Sequence, residues 1–307
     1  MSSSTDAAAS LRPAAEIQPF PKMAHGLAFS RDGQHLLVTG MEPSVQVWKT
    51  SNWTLARQFV AHENAVTVAR LLREDSLLVT ASSDNTAKVW RYPETELVHT
   101  FADHKKTVSD AVAAPDGKTL ATHSYDGRVR LYDLESGALK ATLKGHPKNG
   151  TNLRFSPDGA WLASGGLGDE VIVWSATDGA LVQRLPGHDT VTSVLGWRDG
   201  ALLTLDYAGV LREWEAGNWA LRRTVALELP FPAGQSFAPH APVLALAAPY
   251  TIAFFDTGTW ERIETLPLKL KGVYGLAWSP DGSLLANSAA DGRVRIWRSA
   301  DLHLQPR

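Results

Sequence analysis

Two parts of the chain carry a histidine, a threonine and an aspartate at the same spacing. The two sets are His62, Thr80, Asp84 and His104, Thr122, Asp126. A hydroxyl, an imidazole and a carboxylate within hydrogen-bond reach can serve as the nucleophile, base and orienting acid of a hydrolase. A catalytic triad is therefore the first chemical interpretation to weigh.

The spacing of the histidines argues against that interpretation. They stand at 62, 104, 146 and 188, one every 42 residues. An active site needs one such set in one pocket, whereas residues that recur at a long, fixed period belong to successive copies of a structural unit. We therefore expect these polar residues to hold each copy together.

Aromatic residues mark the same repeat along the chain. Each ends a short run in which apolar and polar residues alternate, such as "VRLY" at 129–132, and this alternation predicts a β-strand. Successive marks stand 40 to 42 residues apart. The seven marks are Trp48, Trp90, Tyr132, Trp174, Trp214, Phe255 and Trp297.

Turn signals divide each unit into four strands. Asp-Gly pairs, such as Asp116-Gly117 and Asp158-Gly159, precede the aromatic in most units and suit a two-residue hairpin turn, because glycine tolerates positive φ. Four short strands in ~40 residues describe one blade of a β-propeller. The sequence therefore predicts an all-β protein, a single seven-bladed β-propeller of four-stranded antiparallel blades.

Short motifs give the repeat a family resemblance. "KGH" at 144–146, "PGH" at 186–188, "FSPDG" at 155–159 and "YD" at 132–133 resemble landmarks of the WD40-repeat family, although no unit keeps a literal Trp-Asp. The resemblance implies a buried network in each blade that joins the histidine, hydroxyl, aspartate and aromatic positions. The implied network residues are His62, Thr80, Asp84, Trp90, His104, Thr122, Asp126, Tyr132, His146, Ser164, Trp174, His188, Thr204, Trp214, Asp291 and Trp297.

Some units depart from this pattern. Blade four has Gly168 and blade five has Ala208 where the aspartate belongs, and blade seven has Lys269 in place of the histidine. Blade six lacks both the Asp-Gly turn and the network residues, so we expect an irregular loop near Pro249 and Tyr250. Packing should hold these blades more than polar bonds do.

The start of the chain bears on how the ring closes. We expect residues 1–14 to form a flexible tail and residues 15–307 to form the propeller. The segment around Ala15–Ile17 precedes blade one at the offset of an outer strand. We therefore predict that it completes blade seven and removes an open sheet edge.

Composition argues against several function classes. The formal net charge of −2 gives no overall attraction to nucleic acid or anionic membranes. The chain has no cysteine, so disulfide-linked partners and cysteine–zinc sites are excluded. The sequence begins with no signal-like apolar segment, and no run is long enough to span a bilayer. We expect an intracellular, cytoplasmic protein without cofactor or metal.

One face of the predicted propeller suits a partner. The loops that join strand d of one blade to strand a of the next gather there with the b–c loops, and on blades three and four they carry lysines beside aromatic residues. Such a rim suits an acidic peptide or protein segment. The candidate partner-binding residues are Lys105, Lys106, Tyr125, Lys148, Asn149, Leu167, Tyr207 and Tyr274.

The family resemblance favours a non-enzymatic scaffold for protein–protein interaction, as a subunit or adaptor of a multiprotein complex. A propeller enzyme of the hydrolase or lactonase type is the alternative, and it would need several histidines and carboxylates in the central channel. Nucleic-acid binding ranks third and is not expected, since it would need a wider basic field around the lysines.

Overall fold

The computed structural model describes residues 11–146, 149–189, 191–270 and 272–304. Over these ranges the chain forms seven antiparallel sheets of four strands each. The helical element in the described part is a single 3-10 turn at Ser299–Asp301. The prediction of an all-β, seven-bladed propeller is confirmed.

Blades one to four follow one another along the chain, and their strands are named a to d in chain order. Blade one contains β2 (Ala24–Phe29), β3 (His35–Gly40), β4 (Ser44–Lys49) and β5 (Leu55–Val60). Blade two contains β6 (Val66–Leu72), β7 (Leu77–Ser82), β8 (Ala87–Arg91) and β9 (Glu96–Phe101). Blade three contains β10 (Val108–Ala113), β11 (Thr119–Ser124), β12 (Arg128–Asp133) and β13 (Leu139–Lys144). Blade four contains β14 (Gly150–Phe155), β15 (Trp161–Gly166), β16 (Val171–Ser175) and β17 (Leu181–Leu185).

Blades five and six continue this order, and blade seven takes its outer strand from the start of the chain. Blade five contains β18 (Thr192–Arg198), β19 (Ala201–Asp206), β20 (Val210–Glu215) and β21 (Leu221–Ala226). Blade six contains β22 (Gly234–Phe237), β23 (Val243–Ala248), β24 (Thr251–Asp256) and β25 (Arg262–Pro267). Blade seven contains β26 (Val273–Trp278), β27 (Leu284–Ala289), β28 (Val294–Arg298) and β1 (Ala15–Ile17).

Strand a of each blade lies beside strand a of its neighbours and surrounds the axis, and strand d lies at the outer edge. Antiparallel order places the d–a and b–c loops at one end of the propeller, called here the d–a face. The a–b and c–d connections form the opposite a–b face. Among the described residues, none belongs to a helix with the length and apolar character needed to cross a membrane.

The apolar core is divided among the junctions between neighbouring blades. Between blades three and four, Leu131 and Leu143 of one sheet pack with Leu153, Ile172 and Trp174 of the other. Each of the other six junctions has a comparable cluster. Because alternate residues of a strand face opposite sides of the sheet, one blade contributes to two of these clusters.

The ring closes as the sequence predicted. β1 pairs antiparallel with β28, with Ala15 opposite Ile296 and Ile17 opposite Val294. Ile17 is buried, and the Glu16 carboxylate lies 3.0 Å from Nε of Arg295. The outer strand of blade seven therefore comes from the other end of the chain, and this confirms the predicted closure.

The Asp-Gly turns are longer than predicted in most blades. In blade four, five residues separate Phe155 from Trp161, and the carboxylate of Asp158 accepts hydrogen bonds from Ser156 Oγ at 2.6 Å and from Ala160 N at 3.0 Å. Blade five has the predicted two-residue hairpin, with Asp199 and Gly200 at φ of 50° and 71°. The Ser-x-Asp-Gly turns differ because the aspartate side chain stabilises a wider loop.

The prediction of an irregular loop between strands b and c of blade six is wrong. Ala248 and Thr251 pair directly, so Pro249 and Tyr250 alone form the b–c turn. Tyr250 has a φ of 65°, and proline before a residue with positive φ is typical of a type II turn. Proline thus supplies a tight two-residue turn between strands b and c of blade six.

Candidate partner-binding face

The network of blade two joins the preceding d–a loop to strands b and c. Nε2 of His62 lies 2.8 Å from Oγ1 of Thr80, and its Nδ1 lies 2.9 Å from the Asp84 carboxylate. Nε1 of Trp90 donates to the same threonine oxygen at 2.9 Å. Burial lowers the pKa of His62, although Asp84 opposes the shift. The imidazole therefore ties the loop to the sheet, and every group around it is paired.

Blade three has the same arrangement with a different aromatic partner. His104 Nε2 lies 2.8 Å from Thr122 Oγ1, and Nδ1 lies 3.1 Å from Asp126. Burial and the nearby Arg130 lower the pKa of His104 to about 4. The Tyr132 hydroxyl donates to Asp103 at 3.1 Å, outside the group of residues that the resemblance implied.

Blade four keeps only part of the network. Nε1 of Trp174 donates to Ser164 Oγ at 2.8 Å, but Nε2 of His146 lies 3.0 Å from the main-chain oxygen of Ser164 instead of its hydroxyl. Nδ1 of His146 has no partner among the described residues. Its ring centroid lies 4.8 Å from that of buried His123 in strand b of blade three. Nothing in the repeat pattern pointed to this contact, because it joins residues of two adjacent units.

In blade five, His188 and Trp214 both bond to Thr204 Oγ1, each at 2.9 Å. No aspartate reaches Nδ1 of His188, which has no partner among the described residues, and the buried Asp206 nearby pairs with Arg212 at 2.9 Å. The sequence analysis missed Asp206 because it stands two residues before the expected place.

Blade seven replaces the hydroxyl by an amide. Nε1 of Trp297 donates to Asn287 Oδ1 at 2.7 Å. Asp291 pairs with Arg295 at 2.7 Å. Those implied residues that contact one another do so inside their own blades, at separate places around the ring.

The d–a face carries the candidate partner-binding residues. Lys105, Lys106, Tyr125, Asn149 and Leu167 are exposed on blades three and four. Main-chain bonds join the last three, since Asn149 N donates to Tyr125 O at 3.4 Å and Leu167 N donates to Asn149 O at 3.0 Å.

The other candidates lie at different places relative to this group. Tyr207 lies in the b–c loop of blade five, and burial together with the nearby Tyr125 raises its pKa. Tyr274 is half-buried against His25, with ring centroids 5.3 Å apart, at the junction of blades one and seven. Lys148 lies outside the described residues.

Three exposed residues on this face were missed. Phe231 contacts Tyr207 with ring centroids 6.3 Å apart and is 62% exposed, and Met41 and Tyr250 are each at least half exposed. Met41 stands two repeat periods before Tyr125, in the same loop position, so the period of 42 could have identified it. The d–a face thus presents large apolar side chains from five blades.

The inner strands carry a group of charged side chains. Asp110 of blade three pairs with Arg154 of blade four and with Arg70 of blade two. Both oxygens of Asp110 are occupied by these guanidinium groups and by main-chain N–H groups. Within the described ranges, no three His, Asp or Glu side chains are grouped so as to hold a metal ion.

A family model described as WD domain, G-beta repeat matches residues 53–91, 95–133, 137–175 and 260–298, just over half of the chain. The chain belongs to the WD40 family. Each matched WD40 repeat begins at a c–d connection and ends one residue after a blade-ending aromatic, so it joins strand d of one blade to strands a to c of the next. No curated protein matches the chain.

Three of the WD40 repeats have no match to the family model. Strands a to c of blades one, five and six lie outside the matched spans. Blade five lacks the aspartate at its repeat position, and blade six has lost the network. The propeller geometry persists in them because alternating apolar residues still fill the junctions between blades.

Proposed function

We propose that this WD40 propeller is a non-enzymatic scaffold that binds a protein partner on its d–a face, as a subunit or adaptor of a multiprotein complex inside the cell. One observation carries the proposal. Tyr125 and Leu167, on blades three and four, are 42% and 48% exposed beside two lysines, and Phe231, in the loop between blades five and six on the same face, is 62% exposed. Aromatic residues near the centre of a surface are typical anchors of protein interfaces.

The charges beside this patch suggest the chemistry of the partner. Main-chain atoms of Lys105 and Lys106 are held by Asp126 and Ser124, at 3.1 and 2.9 Å, so the loop is fixed while both side chains remain exposed. Neither ammonium group forms an ion pair with a residue in the described ranges. A partner segment with apolar side chains flanked by carboxylates would complement both features.

The proposal is tested by purifying partners with the tagged protein from its native cells. The triple variant Tyr125→Ala, Leu167→Ala, Phe231→Ala should lose the partner, and Lys105→Glu with Lys106→Glu should weaken its binding and reduce its salt dependence. Affinity for the identified partner is then measured by calorimetry.

The outer strands supply a matched control. Leu97, Leu139 and Leu181 are 52%, 46% and 45% exposed on strand d of three blades, and their triple replacement by alanine removes a similar apolar area. That control should keep the partner. Equal loss in both triple variants, or normal binding by the d–a variants with intact circular dichroism, would refute the proposed face.

A further inference from the structure

On the a–b face, a cavity of about 450 Å³ lies between blades six and seven. Val243, Trp278 and Leu304 are among its apolar lining residues. Its volume is in the usual range of ligand sites, ~300–1,000 Å³. A smaller and more polar cavity of about 260 Å³, lined by Asp116 and Lys140, lies between blades three and four.

The junction of blades four and five shows how the chain fills the equivalent space. Trp161, Trp197 and Trp219 contact one another there, with ring centroids 5.2 to 6.1 Å apart. Trp161 and Trp197 are stacked, and Trp219 is nearly perpendicular to both. Three indoles therefore close that junction.

Strand register identifies the matching positions between blades six and seven. Trp161 of blade four and Val243 of blade six each pair with the residue that follows the aromatic at the end of strand c in the same blade. Trp197 and Trp278 hold the same place in strand a. Trp219 and Leu302 each stand five residues after the aromatic. Two indoles are thus replaced by smaller aliphatic side chains, and one of these, Val243, lines the cavity.

The remaining indole, Trp278, lacks the hydrogen bond of its counterpart. Nε1 of Trp197 lies 3.3 Å from the main-chain oxygen of Arg154. Nε1 of Trp278 is buried and has no acceptor among the described residues. The indole of Trp278 lines the cavity, but its N–H group is buried away from the surface that a ligand would contact.

The rim forms where blade six departs from the repeat. Its a–b connection includes Pro239 and His240 instead of Asp-Gly, and Nε2 of His240 lies 2.9 Å from the main-chain oxygen of Pro280 in blade seven. Exposed Asp281 and His303 also line the cavity. These polar groups can bond to a peptide main chain while the apolar surface receives a side chain.

We propose that this cavity binds an aromatic side chain, that of a tryptophan or tyrosine, presented by a peptide segment of a partner protein. The chain's own indoles occupy the matching space between blades four and five, so the shape suits a planar ring that packs on Trp278. The site lies on the opposite face from the proposed scaffold surface and does not depend on it.

The test uses the indole N–H resonances of the ¹⁵N-labelled protein, one for each of its 11 tryptophans, with Trp278→Phe to assign the resonance of interest. N-acetyl-tryptophanamide should shift the Trp278 resonance in a saturable way. N-acetyl-leucinamide should bind about tenfold more weakly. No shift at millimolar probe, or equal binding of the leucine amide, would overturn the proposal. Binding of free indole without binding of the amide would show that the ligand is not a side chain carried by a peptide, and would overturn the proposal.

Variants that fill the cavity locate the binding. Ala300 of blade seven and Ala241 of blade six line the cavity from its two sides, and both are exposed. Ala300→Trp should therefore fill the cavity and abolish the shift. Ala241→Trp takes its place if the first variant does not fold. Ala180→Trp adds an indole to another exposed position on the same face and should leave the shift intact. An unchanged shift in a folded cavity variant would place the probe elsewhere and overturn the site.

Discussion

The carboxylate of Asp110, on strand a of blade three, accepts the main-chain N–H of Leu153, on strand a of blade four, at 2.9 Å. It also pairs with Arg154 at 3.5 Å and with Arg70 of blade two. Asp110 is 1% exposed, so one buried charge connects three blades around the axis. Burial and the nearby Arg70 lower the pKa of Arg154 to about 10, which leaves it charged at neutral pH.

Removing this carboxylate should destabilise the propeller strongly. Asp110→Ala leaves two guanidinium groups without their counter-ion, and breaking a buried ion pair in this way costs about 3–5 kcal/mol in the free energy of unfolding. Urea denaturation measures the loss. The exposed Asp301→Ala serves as control and should change stability by less than ~0.5 kcal/mol. A similar small effect at both positions would contradict a structural role for Asp110.

Acid should destabilise the protein through its buried histidines. The pKa values of His104, His146 and His188 are each lowered to about 4, mainly by burial. In the unfolded chain the value is ~6.5, so the unfolded state binds more protons between these limits. The contribution of these histidines to the free energy of unfolding is therefore fully present above pH ~6.5. It falls as the pH drops toward ~4, by up to ~1.4 kcal/mol per pH unit for each histidine.

Urea midpoints measured from neutral pH down to about pH 5 test this dependence. His188→Gln removes one titrating group and should flatten the pH dependence relative to the unchanged chain. His303→Gln changes an exposed histidine and should leave the dependence as it is. Midpoints that do not vary with pH would show that these imidazoles are not held neutral by the fold.

Loss of the closing strand should lower the melting temperature. Deleting residues 1–20 removes β1 and with it the burial of Ile17 and Phe20, worth ~1.5–3 kcal/mol for each side chain. For a domain of this size we expect Tm to fall by about 10 °C, measured by calorimetry. Leu11→Ala changes an exposed residue before the strand and should have no effect. An unchanged Tm after the deletion would mean that blade seven does not need β1.

The repeat period determines how much of the fold can be predicted. A residue such as Trp90 has the same place in its blade as Trp174, so the seven blades and the closing strand follow from spacing alone. Turn geometry is harder to predict, because Asp158-Gly159 and Asp199-Gly200 are the same pair in the same connection and form different turns. There the neighbouring Ser156 decides the outcome by bonding to the aspartate.

Contacts between blades are harder to predict than contacts within them. The period gives each residue a place in its own sheet, but not the neighbour that it meets on the next one. The pairing of Asp110 with Arg70 and the contact of Phe231 with Tyr207 both cross between blades, so neither was predicted. Tyr125 and Leu167 lie in the b–c loops of blades three and four, where the repeat places them, while Tyr274 lies apart from them.

The pairing of β1 with β28 has a consequence for how the protein is made. On the ribosome, β1 emerges before the other strands of the propeller, yet its partner β28 is the last of them to be synthesised. Six sheets can form as translation proceeds, while the seventh waits with one unpaired edge until both strands are free of the ribosome. A chaperone that shields sheet edges would find its target in that interval.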